Sequence, residues 1–285
     1  MRQAEFEQVA ALLRARSGLV IGPDKLYLLK TRLAPILRRE RLADLDALAA
    51  RLRQPGAEPI VQDVVEAMTT NESLFFRDGK PFVHLRAVLP VLAAARPPGA
   101  RLRFWSAASA SGQEAYSLAM TVAEARAALG GREVEIVGTD LSREQVARAR
   151  SGAYNQFEVQ RGLPMQMLAR YFEREPPNWR VVDALRALVR FREWNLLADL
   201  NPLGRFDIVF CRNVLIYFDQ DTKRRVLEAI ARQMPPDGLL YLGGAETVLG
   251  ITDRFVPLDG ERAVYRPAVP SAAASAPLRP VAAAV

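Results

Sequence analysis

Leu102-Arg103-Phe104-Trp105-Ser106-Ala107-Ala108-Ser109-Ala110-Ser111-Gly112-Gln113-Glu114-Ala115-Tyr116-Ser117-Leu118-Ala119-Met120 decides how this sequence folds. An apolar run passes into seven tiny residues, Ser106 to Gly112, and then into a helical pattern. That order predicts a buried strand, a tight turn and a helix. Val134 to Asp140 follows as a second strand with an acid at its tip. Small side chains after the first strand let a ligand lie against backbone N–H groups at a helix start. A carboxylate ending the second strand can take both hydroxyls of a ribose. The stretch thus reads as one βαβ half of a nucleoside-binding α/β domain, although close packing alone also selects small residues at such a turn. A dinucleotide site normally carries three glycines so that pyrophosphate can approach the backbone. Gly112 stands alone here. A ligand with a ribose and no phosphates fits better, and S-adenosylmethionine (SAM) is the common one.

Upstream of this unit the pattern is helical. Phe6, Val9, Ala10 and Leu13 follow an i, i+3, i+4, i+7 spacing, and Gly18 and Gly22-Pro23 end that helix. Asp24 is the expected cap of a second helix, with Leu26, Leu29, Leu33 and Leu37 as its stripe and Pro35 as a kink or division. A third helix starts at Asp44, and a fourth runs from Glu58 to Met68. The expected division is a helical domain with its linker loop over 1–79, an α/β domain over 80–267 and a tail over 268–285. The tail is almost all Ala, Pro, Val and Ser, which predicts disorder because nothing in it can bury a core.

Downstream, the expected elements are a helix over 80–95, strand 102–107, helix 112–129, strand 134–139 and helix 142–151. The alternation then lapses, and two short β-rich pieces, 179–183 and 188–191, predict a small antiparallel insertion within 171–191, with a helix over 181–189 as the alternative. It resumes with the apolar strand Phe206 to Cys211, a helix from Asp221 to Gln233 and a strand from Gly238 to Gly243. Val256 and Arg262–Tyr265 are expected to close the sheet as an antiparallel pair.

With 285 residues, half of them hydrophobic, the chain suits one large or two modest globular domains. No apolar run approaches the roughly 18 residues of a membrane span, and the acid-containing N-terminus does not read as a signal peptide. A cytoplasmic location without membrane insertion is expected. Cys211 and His84 are the single Cys and single His, which argues against a protein-ligated metal. Cys211 and Trp105 are expected in the core, and His84 on the surface or in a linker. The formal charge of +7 is uneven. Between Lys25 and Arg53 eight basic residues face three acids. Such a stretch suits an acidic partner or a nucleic acid, or is simply a solvated helix face.

Four local sequences, in order, resemble one family, the bacterial chemotaxis receptor methyltransferases. They are Thr69-Thr70-Asn71-Glu72-Ser73-Leu74-Phe75-Phe76-Arg77, then Trp105 to Ser117, then Asn195-Leu196-Leu197, then Cys211-Arg212-Asn213-Val214-Leu215-Ile216-Tyr217-Phe218. The resemblance spans about residues 5 to 265. It implies a Rossmann-like SAM-dependent methyltransferase sheet with a small antiparallel β insertion, preceded by an all-helical N-terminal domain. It also implies transfer of a methyl group from SAM to receptor glutamates, leaving S-adenosylhomocysteine and using no metal. Carried over by position, Asn71, Ser73 and Arg77 would close over the methionine end of SAM. Glu114 would face its positive groups, Asp140 its ribose, Asn195 and Leu196 its adenine, and Arg212 and Asn213 the sulfonium and methyl. Ser73 stands where the family often has Thr and keeps the hydroxyl, and Ala108 and Ala110 stand where it often has Cys, Ser or Thr and keep the small volume. Ala115 stands where it often has Pro, which is only preorganised for the first helical turn, so binding should survive.

Glutamate is ionised near neutral pH, so methyl transfer to it needs positioning and desolvation more than proton transfer. Tyr217 is expected beside the reacting methyl, with simple packing on the cofactor as the alternative, and Arg212 is the other catalytic candidate. Acidic helices of chemoreceptors are the expected protein substrate, with Arg38, Arg39 and Arg41 steering them. The turn Glu173 to Asn178 is short and lacks the glycines associated with members that bind a receptor C-terminal peptide. A peptide-independent enzyme is therefore expected, and, separately, a monomer. The competing functions are methylation of another acceptor, a nucleic acid or another protein, and SAM binding without turnover. Against nucleic acid, the charge sits in the helical part without interleaved aromatic platforms.

Overall fold

The computed structural model describes residues 2–268. Four helices come first: α1 (Gln3–Ser17), α2 (Leu26–Arg39), α3 (Leu45–Arg51) and α4 (Glu58–Met68). The helical spacing of Phe6, Val9 and Leu13 buries that stripe against Leu29, Leu33, Leu48 and Val64. α1 ends where Gly18 takes φ 78°, a left-handed conformation that costs glycine little. Asp44 caps α3 by accepting from the Ala47 amide at 2.8 Å. One expectation fails at α2: Pro23–Lys25 form a short 3-10 turn, so Asp24 lies inside that turn and caps nothing. Pro35 lies inside the helix without dividing it. An interior proline costs about 3 kcal/mol, whereas burying Leu29, Leu33 and Ile36 returns roughly 1.5–3 kcal/mol each.

The α/β unit opens with α5 (Lys80–Ala94), β1 (Leu102–Ala107), α6 (Gln113–Glu124), β2 (Val134–Asp140) and α7 (Arg143–Ser151). α6 is shorter than expected, because Arg126–Leu129 form a separate 3-10 turn. The chain then leaves the sheet as β3 (Ala153–Tyr154), α8 (Gln156–Gln160), α9 (Met165–Tyr171), β4 (Phe172–Glu175) and β5 (Asn178–Val181). It returns through α10 (Asp183–Arg186) to β6 (Val189–Glu193), β7 (Ile208–Cys211), α11 (Gln220–Arg232), β8 (Leu239–Leu242), β9 (Phe255–Pro257) and β10 (Val264–Pro267).

Seven strands form the main sheet in the order β6-β2-β1-β7-β8-β10-β9. β6, β2, β1, β7 and β8 are parallel, and the last two are antiparallel. The small sheet is β3-β5-β4, all antiparallel. One boundary is thereby corrected. The piece at 188–191, expected as an arm of the insertion, joins the main sheet beside β2 in the register Ile136↔Val189 to Asp140↔Glu193. Its buried Val189 and Phe191 alternate with exposed Arg190 and Arg192, the two-faced pattern of an edge strand. The insertion spans 153–181 instead. The tail expectation lies outside the described residues apart from Ala268.

Helices cover both faces of the sheet, with Phe104, Leu118 and Phe210 in one core and Trp105, Val209 and Leu227 in the other. Trp105 and Cys211 are fully buried, as their apolar surroundings required. His84 is not a free surface residue: it is partly buried on α5, with Nδ1 2.9 Å from the Tyr241 hydroxyl. Among the described residues no helix is long and apolar enough to cross a membrane. β1 has β2 on one side and β7 on the other, so the direction of winding reverses there. In open α/β sheets that reversal leaves a crevice beyond the carboxyl ends of the strands.

Candidate active site

The crevice is real, and the helical domain closes its far side with Ser17 and Leu19. Every residue singled out for the cofactor or the chemistry lines it: Asn71, Ser73 and Arg77 on the interdomain loop, Glu114 and Asp140, Asn195 and Leu196, then Arg212, Asn213 and Tyr217. Arg38, Arg39 and Arg41 do not.

The tiny residues after β1 are needed for their backbone. Ala108, Ala110 and Gly112 take φ of 54°, 47° and 94°. Left-handed alanines cost about 1–2 kcal/mol each, and hydrogen bonds hold them there. The Ser109 amide donates to the Thr139 carbonyl (2.8 Å), and the Ala110 amide donates to Asp140 Oδ2 (2.8 Å). A Cβ on Gly112 would lie 2.9 Å from that of Ala149 and 3.0 Å from the Phe191 ring, so α7 and β6 press directly on the turn.

Asp140 is buried, with Oδ1 accepting from the Ser142 amide at 2.9 Å. Burial pushes its carboxyl above the usual carboxylate range, while the Ser142 and Ala110 amides pull it back. Each oxygen keeps a further lone pair for a hydroxyl donor.

Glu114 and Arg212 form a buried pair under the pocket floor. Glu114 Oε1 accepts from Ser106 Oγ (2.8 Å) and Oε2 from Arg212 Nη1 (3.1 Å). Burial raises the Glu114 carboxyl, against the pull of Arg212. Arg212 Nη2 reaches Asp78 Oδ2 (2.6 Å) and the Arg77 carbonyl (3.0 Å). One guanidinium therefore ties α6 to the end of the interdomain loop. Phe75, fully buried, packs edge-on to Tyr154 and Phe172, and the Phe76 amide donates to Ser117 Oγ at 2.9 Å. The start of the loop is held from the other domain, where Arg32 Nη1 donates to the carbonyls of Met68 and Thr69, each at 2.8 Å.

Asn195, expected at the adenine edge, lines the cleft; its Nδ2 donates one hydrogen to the Arg16 carbonyl (2.6 Å) and its Oδ1 accepts from the Leu197 amide (2.9 Å). Its side chain braces α1, an interdomain contact that no local pattern encodes. The basic stretch is also less free than its composition suggests. Arg39 pairs with Glu40 (2.8 Å) and Asp63 (2.5 Å), and Asp63 and Glu66 together hold Arg143 at the start of α7. Arg38 and Arg41 are exposed, with no ion pair among the described residues.

Sequence reading missed Asp78, Trp194 and Glu246. Asp78 follows Arg77 directly and was readable only as part of that motif. Glu246, after Gly243-Gly244, is buried and accepts four backbone amides at the site. Among the described residues no group of three or more His, Cys, Asp or Glu is arranged to hold a metal.

Residues 71–264 match the family described as CheR methyltransferase, SAM binding domain, and residues 4–69 match its all-alpha domain. The chain belongs to the CheR methyltransferase family. Among CheR relatives, it is 40% identical over 256 residues to a chemotaxis protein methyltransferase of Pseudomonas putida, covering 88% of this chain and 93% of that one. Identity to a chemotaxis protein methyltransferase of Pseudomonas aeruginosa is 42% over 258 residues, with the same coverage. The Escherichia coli protein of that name is 35% identical over 261 residues, covering 90% of this chain and 88% of its own. The cleft fits the SAM that a CheR domain takes. A left-handed small-residue turn leaves room against backbone, and two buried carboxylates, Asp140 and Glu114, offer acceptors for hydroxyls and for positive charge.

Proposed function

We propose that this protein transfers a methyl group from SAM to glutamate side chains on the cytoplasmic helices of chemoreceptors, tuning their signalling during adaptation and leaving S-adenosylhomocysteine and a glutamate methyl ester. The observation that carries the reading is the convergence of ten side chains, from five separate stretches of a CheR-family chain, on one interdomain cleft. When bound, SAM supplies a methyl group activated by a sulfonium. In this reading Asp140 takes the ribose hydroxyls and Leu196 packs on the adenine. Arg77 pairs with the cofactor's carboxylate, and Glu114, Arg212 and Asn213 shape the charge around its cationic centre.

An ionised acceptor needs no general base. The chain's own contribution is to hold the acceptor in line and to replace its water. Tyr217 lines the cleft from the loop after β7, where its hydroxyl can donate to an acceptor carboxylate. Arg38 and Arg41, exposed and unpaired, supply positive charge to attract acidic helices. The β4–β5 turn, Pro176-Pro177, is only two residues long and favours action without a docked receptor-tail peptide.

The test uses methyl-labelled SAM and a receptor cytoplasmic fragment, with a second fragment whose methylation-site glutamates are changed to glutamine. Label that is released as methanol by base, and that is lost in the glutamine fragment, is expected. Base-stable label would remove the ester reading, and equal label on both fragments would remove glutamate as acceptor.

A further inference from the structure

Glu246 lies outside every motif named above, yet it is the most heavily engaged carboxylate at the site. It follows β8 and is buried. Its Oε2 accepts from the amides of Asn213 (2.8 Å) and Gly243 (2.7 Å). Its Oε1 accepts from those of Val214 (2.9 Å) and Ile216 (3.3 Å). Four N–H groups from the ends of β7 and β8 thus converge on one anion, an arrangement in which a carboxylate is far better than a neutral acceptor. Space around it is equally constrained. A Cβ on Gly243 would lie 2.8 Å from both Asn213 Nδ2 and Glu246 Oε2.

The segment gripped in this way carries Arg212, Asn213 and Tyr217 into the cleft. Asn213 sits at φ 60°, a conformation that a free loop would leave. The amides of Val214 and Ile216 flank the start of the Leu215–Tyr217 3-10 turn, which aims the Tyr217 ring. The Tyr217 carbonyl in turn accepts from the Val20 amide at 3.0 Å, so the grip extends to the helical domain.

We propose that Glu246 is a positioning residue for methyl transfer, acting through Asn213 and Tyr217 and touching neither cofactor nor acceptor. This rests on the methyltransferase reading above. In Glu246→Gln one oxygen becomes an NH2 facing amide N–H groups, so the loop must shift. A displacement near 1 Å costs on the order of 100-fold in turnover. Asp140 and Leu196 lie on other segments, so affinity for S-adenosylhomocysteine should change less than about threefold.

The experiment measures kcat, S-adenosylhomocysteine affinity and thermal midpoint for wild type, Glu246→Gln, Glu246→Asp, Tyr217→Phe and the double variant Glu246→Gln/Tyr217→Phe. Expected are a large loss of kcat at nearly unchanged affinity, partial recovery in the charge-keeping Glu246→Asp, and a double variant little worse than the worse single one. A folded Glu246→Gln with kcat within about threefold of wild type would overturn the proposal, as would additive effects in the double variant. So would affinity falling in step with kcat, which marks general damage. If Glu246→Gln does not fold, Glu246→Asp decides by the same split. A wild type that binds S-adenosylhomocysteine and methylates no receptor fragment sinks the parent reading instead.

Discussion

At the cleft Asp140, Glu246 and Arg212 are buried, and each is held by backbone or by a buried partner; on the surface shared by α2, α4 and α7 half-exposed arginines pair with carboxylates, Arg143 across the domain boundary. Asp140 takes two amides, Glu246 takes four, and Arg212 is only 1% exposed between Glu114 and Asp78. Arg39 and Arg143 pair with Asp63 and Glu66 at similar distances, but both arginines are about half exposed. Exposed ion pairs are worth about 0–1 kcal/mol, whereas removing one partner of a buried charged hydrogen bond costs roughly 1–3 kcal/mol for each group left unpaired. Hydrogen bonds of similar length therefore carry unequal consequences, and the buried groups at the cleft should be far less tolerant than the surface network.

The largest break should come from Asp140→Ala. It removes the proposed ribose acceptor and orphans the amides of Ala110 and Ser142, so S-adenosylhomocysteine affinity by titration calorimetry should fall at least about 100-fold. The same carboxylate gives the contrast a pH signature. Burial raises the Asp140 carboxyl, so it protonates earlier on acidification than an exposed one. Affinity should then be lost as pH falls, at a midpoint above the ordinary aspartate value of about 3.9. A titration midpoint at or below that value would contradict the buried assignment.

Next in size is Tyr217→Phe, which should lower kcat by about 10–100-fold while leaving S-adenosylhomocysteine affinity within about twofold. Unchanged turnover would leave the ring as packing only. Reversing Arg38 and Arg41 to Glu should raise KM for the receptor fragment several-fold at low salt, with kcat and cofactor affinity intact, and the difference should shrink at high ionic strength. A KM insensitive to both changes would reduce α2 to a solvated face. Smallest of all, Arg143→Ala should cost less than about 1 kcal/mol of stability in denaturant unfolding. A loss of several kcal/mol would mean that the surface network is cooperative after all, and its contrast with the buried groups would close.

The parts of this molecule legible in the sequence are those whose cause is local. The apolar strands, the small-residue turn and the acid at 140 stand next to one another in the chain, and their order alone implies the crevice. β6 was misassigned because a five-residue piece with a two-faced pattern is compatible with either sheet, and only its partner Ile136–Asp140 decides between them. The contact of Asn195 with α1 was not legible either, since its partner, the Arg16 carbonyl, lies 179 residues away. Glu246 gave no signal: an acid after two glycines is common, and its four amides belong to a different strand end or to the turn beside it. Contacts that close over long sequence separations are set by the assembled sheet, and they leave no period or spacing to read.

The segment from Thr69 to Asp78 is clasped at one end by Arg32 of the helical domain and at the other by Arg212 of the sheet domain and by the packing of its own Phe75 on Tyr154 and Phe172. It therefore behaves as a strap of fixed length between two bodies, with Asn71 and Ser73 along its span. Any rocking of one body against the other must tighten or slacken that strap. The separation of the domains and the width of the cofactor's doorway are thus one coordinate, and whatever presses the helices toward the sheet also narrows the exit.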